Sequence, residues 1–192
     1  MALPDHIVYL HGFNSSPLST KAQQFVAYMA ERYPQVTVYV PHLSTWPQQA
    51  MDDVSTYVEG LSGRVVFVGS SLGGFYTTWL AQKFATKGVL INPAVRPDLL
   101  LRDRLGPQCN YHTLEDEYEL TEEHMQQLRD LLIEDIKAPQ NLLVLLQTAD
   151  ETLDYRQAVD YYQGCHLDIE EGGSHAYDEF PARIPQIMAF VG

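Results

Sequence analysis

Residues 69–73 read Gly-Ser-Ser-Leu-Gly, a G-x-S-x-G spacing with Ser71 at its centre. A serine hydroxyl is a weak nucleophile near neutral pH, so chemistry at Ser71 demands a general base beside it. The glycine spacing selects Ser71 over Ser70. A serine exposed on a strained strand-to-helix turn needs small residues two positions before and two after, and Gly69 and Gly73 flank Ser71 in that way. The apolar run VVFV precedes the motif and FYTTWLAQKF follows it. That is the strand–turn–helix setting in which such a serine serves as a nucleophile.

Seven histidines compete to be the base. His6 and His166 fall in strand-like runs and His112 and His124 in a long intervening segment, where structural or solvent-facing roles account for them. His42 follows the second strand and is a weak alternative. His175 stands in Glu171-Gly172-Gly173-Ser174-His175, a glycine loop just past the last strand, and parallel sheets gather their sites at the carboxyl ends of strands. It is the expected base. Asp150, the first acid past the fifth strand, is the expected orienting carboxylate, with Asp154 the alternative. Glu151 and Asp154 also suit helix capping or the helix dipole. The chain order Ser71, Asp150, His175 is that of the α/β-hydrolases rather than of chymotrypsin or subtilisin. The first strand ends in His11-Gly12-Phe13. Gly12 permits a tight turn there, and the Phe13 N–H can face that of Leu72 as a pair of oxyanion donors. His11 is read as fixing this turn.

These residues need a frame. Short apolar runs at His6–Leu10, Val36–Val40, Val65–Val68, Gly88–Ile91, Leu142–Leu146 and Cys165–Ile169 read as strands of a mostly buried sheet. Helical patterns at Ser19–Tyr33, Pro47–Glu59, Leu72–Phe84, Tyr155–Tyr162 and a C-terminal segment to Val191 alternate with them. The alternation predicts an α/β domain with a mainly parallel sheet. Between the fourth and fifth strands lie roughly fifty residues, Asn92–Asn141, more than a plain crossover needs. There Thr121 suits an N-cap, with Met125, Leu128, Leu132 and Ile136 on one helix side. Acidic residues run from Glu115 to Asp135, with Arg129 the only Lys or Arg among them. Residues 97–138 are read as a helical insertion within one domain spanning 1–192. A lid and an ordinary crossover with a solvated acidic face explain it equally.

Composition removes several classes. With 12 Lys and Arg against 25 Asp and Glu, the formal charge is −13, and a nucleic-acid partner is not expected. The two cysteines, Cys109 and Cys165, sit in no metal-binding spacing. No HExxH occurs, and GSSLGG lacks the dinucleotide pattern, so neither metal nor cofactor is expected. No apolar stretch approaches the ~18 residues of a membrane span, and no signal peptide is read at the N-terminus, so a cytoplasmic location is expected. Oligomeric state is left open.

The stretches YLHGFNSSPLSTKA, GSSLGGFYTTWLA, INPAVRP, TADETLDYRQAV and GGSHAY resemble the α/β-hydrolase superfamily, and look closest to the small YqiA-like bacterial esterases. The resemblance implies a cofactor-free serine hydrolase of carboxylic esters, or of acyl thioesters. By matched position it carries nucleophile, acid and base to Ser71, Asp150 and His175, and the oxyanion donors to Phe13 and Leu72. Because the first strand already carries the His-Gly turn, a minimal six-stranded sheet in order 2-1-3-4-5-6 is expected. Three functions stand side by side: a carboxylesterase of small or medium acyl esters, an acyl-CoA thioesterase with Arg96 and Arg102 offsetting the acidic surface, and a non-catalytic binding or interaction protein on this fold. The pocket walls are expected from the insertion and from residues such as Phe13 and Phe75.

Overall fold

The computed structural model describes residues 2–112 and 117–192. In chain order the elements are β1 (His6–Leu10), α1 (Thr20–Arg32), β2 (Thr37–Tyr39), α2 (Pro47–Glu59), β3 (Val65–Ser70), α3 (Leu72–Lys83), β4 (Gly88–Ile91), α4 (Pro97–Leu100), β5 (Gly106–Gln108), β6 (Tyr118–Leu120), α5 (Glu122–Asp130), β7 (Leu142–Gln147), α6 (Tyr155–Tyr161), β8 (His166–Glu170) and α7 (Phe180–Val191). The main sheet runs β2-β1-β3-β4-β7-β8, every pair parallel. Counted along that sheet, this is the expected order 2-1-3-4-5-6.

Strand sequence explains the layers. Successive strand side chains point to opposite faces, so a strand covered on both sides must be apolar throughout. On β1, Ile7 and Tyr9 enter the core beneath α1 and α7 with Phe25, Met29, Ile184 and Met188. Val8 and Leu10 enter the opposite core with Met51 and Val54 of α2 and Phe75 and Leu80 of α3. Tyr162 and Ala158 at α6 close a third cluster over Val144 and Leu146 of β7. The two edge strands, β2 and β8, have no fully buried residue.

The segment between β4 and β7 differs from its expected form. It contains an antiparallel pair, β5 with β6, beside its helices. Three-residue strands, one of them Gly-Pro-Gln, carry no alternation from which to read them. Its main helix, α5, stops at Asp130. Leu132 and Ile136 continue the helical period but pack on different clusters, Leu132 on the α2–α3 side and Ile136 against β7 and α6. The chain turns to reach both. At the helix start, the Thr121 N–H donates to His124 Nδ1 (3.1 Å), and Trp46 stacks on the buried His124 ring at 3.8 Å. Glu115 and Asp116, the first two acids of the acidic run, lie outside the described residues. Among the described residues no helix is long and apolar enough to cross a membrane.

Candidate active site

Ser71 joins β3 to α3 with φ 57° and ψ −120°, a backbone region that L-residues avoid. Four hydrogen bonds hold it there. Its N–H donates to the Ile91 carbonyl (3.0 Å), and its carbonyl accepts from Gly74 (2.9 Å), Ala94 (3.0 Å) and Phe75 (3.3 Å). The flanking glycines are close-approach positions. A Cβ on Gly69 would lie 2.1 Å from the Gly73 carbonyl oxygen, and one on Gly73 would lie 2.0 Å from the Leu10 carbonyl oxygen. The motif thus packs α3 against both its own strand and β1. Ser70, the last residue of β3, is buried.

His175 Nε2 lies 3.1 Å from Ser71 Oγ, and its Nδ1 lies 2.8 Å from Asp150 Oδ2. A carboxylate only accepts, so the Nδ1–H donates to it and Nε2 is left to accept from the serine hydroxyl. The other Asp150 oxygen accepts the Thr152 and Leu153 N–H groups, both at 2.8 Å. Burial raises the Asp150 carboxyl, but the bonds from His175, Leu153 and Thr152 more than offset it and hold the group below the usual carboxylate range. Such a relay can take a proton from a hydroxyl and stabilise the resulting imidazolium.

Asp154 lies outside the relay. It caps α6, accepting the Arg156 N–H (3.1 Å) and Arg156 Nε (2.8 Å). Glu151 is not a helix cap; its Oε2 accepts the His175 backbone N–H at 2.9 Å. Gly12 lies against Ser71, 3.4 Å separating its would-be Cβ from the serine Cβ. Phe13 and Leu72 both border the same cleft, and neither backbone N–H has an acceptor among the described residues. His11 is buried between two loops. Its Nδ1–H donates to the Gly12 carbonyl (3.0 Å) and its Nε2 accepts the Leu43 N–H (3.2 Å). Chiefly through burial, its pKa is pushed down from 6.5 to about 4, so the ring is neutral.

Sequence reasoning missed two residues. The Gln147 side chain, buried at the end of β7, is fully bonded. Its Oε1 accepts from Ser174 (3.0 Å) and Asp178 (2.8 Å), and its Nε2 donates to Glu170 (2.9 Å) and the Asp178 carbonyl (3.0 Å). Asn92, after β4, accepts the Gln147 N–H (3.0 Å) and donates to the Ser174 carbonyl (3.0 Å). Together they shape the loop that presents His175. Gly173 is part of this fit, since its Cβ would sit 2.1 Å from Gln147 Oε1. A polar amide ending an otherwise apolar strand is the signal that could have found them.

A cleft of about 910 Å³ opens over Ser71 and His175. Phe13, Leu100, Leu101 and Tyr111 line it. Phe75 does not; it is buried in the α2–α3 core. Nor do Arg96 and Arg102 face the cleft. Arg96 forks onto buried Asp98 with two 2.8 Å bonds, and Arg102 pairs with Glu122 (2.9 Å). Arg129 Nε adds a 3.4 Å contact to Asp98, so this cluster ties α4 to α5. On its other side the segment meets the turn after β1, where Asn14 donates to Gln108 (2.9 Å) and accepts from Tyr118 (2.7 Å).

Residues 6–192 match the profile of the uncharacterised protein family UPF0227. The chain belongs to that family. The UPF0227 chain also has the α/β-hydrolase fold. α/β hydrolase domain-containing protein 10 from mouse superimposes with a TM-score of 0.75 at 14% identity, over 97% of this chain and 90% of that one. Est1E from Butyrivibrio proteoclasticus gives 0.71 at 15% identity, over 95% and 84%. The esterase domain of a Rhodothermus marinus protein gives 0.66 at 13% identity, over 95% and 84%.

Proposed function

We propose that this UPF0227 protein is a serine carboxylesterase, acting on small or medium acyl esters in a single catalytic domain. The observation that carries the reading is the unbroken chain from Ser71 Oγ through His175 to Asp150, at 3.1 and 2.8 Å, built on a strained serine. Ser71 attacks the ester carbonyl while His175 Nε2 takes its proton. The imidazolium is stabilised by Asp150, whose carboxylate is held ionised. The Phe13 and Leu72 N–H groups receive the developing oxyanion, each such donor contributing about 3 kcal/mol to lowering the barrier. Collapse expels the alcohol with the proton from His175. Water then attacks the acyl-serine by the same route and frees the acid. A cleft of about 910 Å³ accommodates a substrate of that size, and Leu100, Leu101 and Tyr111 of the segment after β4 supply one wall of it. Esterases with the same fold, Est1E among them, support the reaction class.

Turnover of short and medium p-nitrophenyl esters by paired variants tests the mechanism. Asp150→Asn reverses the hydrogen bond to His175 and is expected to lower kcat by about 10⁴. Asp154→Asn, a capping change, is expected to leave kcat within a few-fold of wild type. A larger loss at Asp154 overturns the assignment.

A further inference from the structure

We propose that Lys21 is a positioning residue for His175, clamping its peptide together with Glu151; the proposal rests on the reading of His175 as the base. Lys21 stands in the first turn of α1, far from His175 in the chain. Its Nζ nonetheless donates to the His175 carbonyl (3.2 Å) and the Ala176 carbonyl (3.0 Å). From the other side, Glu151 accepts the His175 N–H at 2.9 Å. The base is therefore gripped at four points, its ring by Asp150 and Ser71 and its peptide by an acid and an ammonium. The two backbone bonds fix the direction from which the ring enters the cleft, a geometry that proton transfer requires within a fraction of an ångström.

Charge matters to the grip. Hydrogen bonds from an ammonium are roughly twice as strong as those from a neutral donor. Lys21 lines the cleft, and burial pushes its pKa down from 10.5 to about 8, with Asp150 and Glu151 holding it partly up. The His175 ring faces the same space. Asp178 and Glu179 border it beyond that loop, and Arg104 and His112 border it from the segment after β4. Arg104 opposes the charge on Lys21, and the four carboxylates favour it. Loss of that proton weakens both bonds to the loop, so turnover is expected to decline as pH rises through about 8. A lysine that merely packs would leave no such limb.

The test compares wild type, Lys21→Met and Lys21→Arg by p-nitrophenyl butyrate turnover across pH, and by the low-field proton resonance of His175 Nδ1–H without substrate. Lys21→Met is expected to lower kcat about tenfold to a hundredfold with little change in KM, and to abolish the alkaline limb. Lys21→Arg, whose guanidinium keeps its proton, should recover much of kcat and stay flat above pH 8. The resonance should be sharp in wild type and in Lys21→Arg, broadened in Lys21→Met, and lost from wild type as pH passes 8. Wild-type kcat, alkaline limb and resonance in a folded Lys21→Met overturn the clamp while leaving the esterase reading intact. A wild type that turns over no ester but shows the expected resonance series overturns the esterase reading and leaves the clamp standing.

Discussion

Both His11 ring nitrogens have partners, Nδ1–H donating to the Gly12 carbonyl and Nε2 accepting from the Leu43 N–H, and the second bond requires a neutral imidazole. The unfolded chain protonates this histidine near 6.5, whereas the folded chain resists until about 4. Below pH 6.5 the unfolded state therefore binds more protons, and the fold loses about 3 kcal/mol from this group as pH falls to about 4. Urea unfolding of wild type and His11→Gln at pH 7 and pH 4 checks this. The stability gap between them should shrink by about that amount at the lower pH, and a constant gap contradicts it. At this scale the sequence was readable where a residue type has one use, as with Ser71 between its glycines. Residues with many uses were harder. Glu151 looked like a helix cap, and Gln147 and Asn92 looked like nothing, because their partners are backbone groups of a loop distant in the chain.

Elements position these residues through backbone contact more than through side chains. Gly73 lets α3 lie directly on the Leu10 carbonyl, which sets Leu72 beside the turn that carries Phe13. Gly73→Ala places a methyl 2.0 Å from that oxygen. The helix must then shift from β1, at an expected cost of about 3 kcal/mol, or roughly 6–12 °C in Tm, with activity lost even where the protein stays folded. An alanine variant with the wild-type Tm and turnover contradicts this role. The six main strands followed from short apolar runs separated by amphipathic stretches, because central strands buried on both faces leave little choice of residue, whereas their order followed from the resemblance to the α/β-hydrolases. The β5–β6 pair and the end of α5 did not, since two cores compete for the residues after Asp130.

Across the whole molecule, the parallel sheet brings Ser71, Asp150 and His175, from three distant segments, to the carboxyl ends of strands β3, β7 and β8 and the loops beyond them. The formal charge is −13, yet two lysine and arginine side chains, Lys21 and Arg104, border the cleft. The central claim is that this assembly activates one hydroxyl. Labelling with a fluorophosphonate, read by intact and peptide mass, measures that directly in wild type, Ser70→Ala, Ser71→Ala and His175→Ala. One label per chain, located on Ser71, is expected in wild type and in Ser70→Ala. Labelling should vanish in Ser71→Ala and slow by orders of magnitude in His175→Ala. Stoichiometric label persisting in Ser71→Ala, or vanishing in Ser70→Ala alone, contradicts the account.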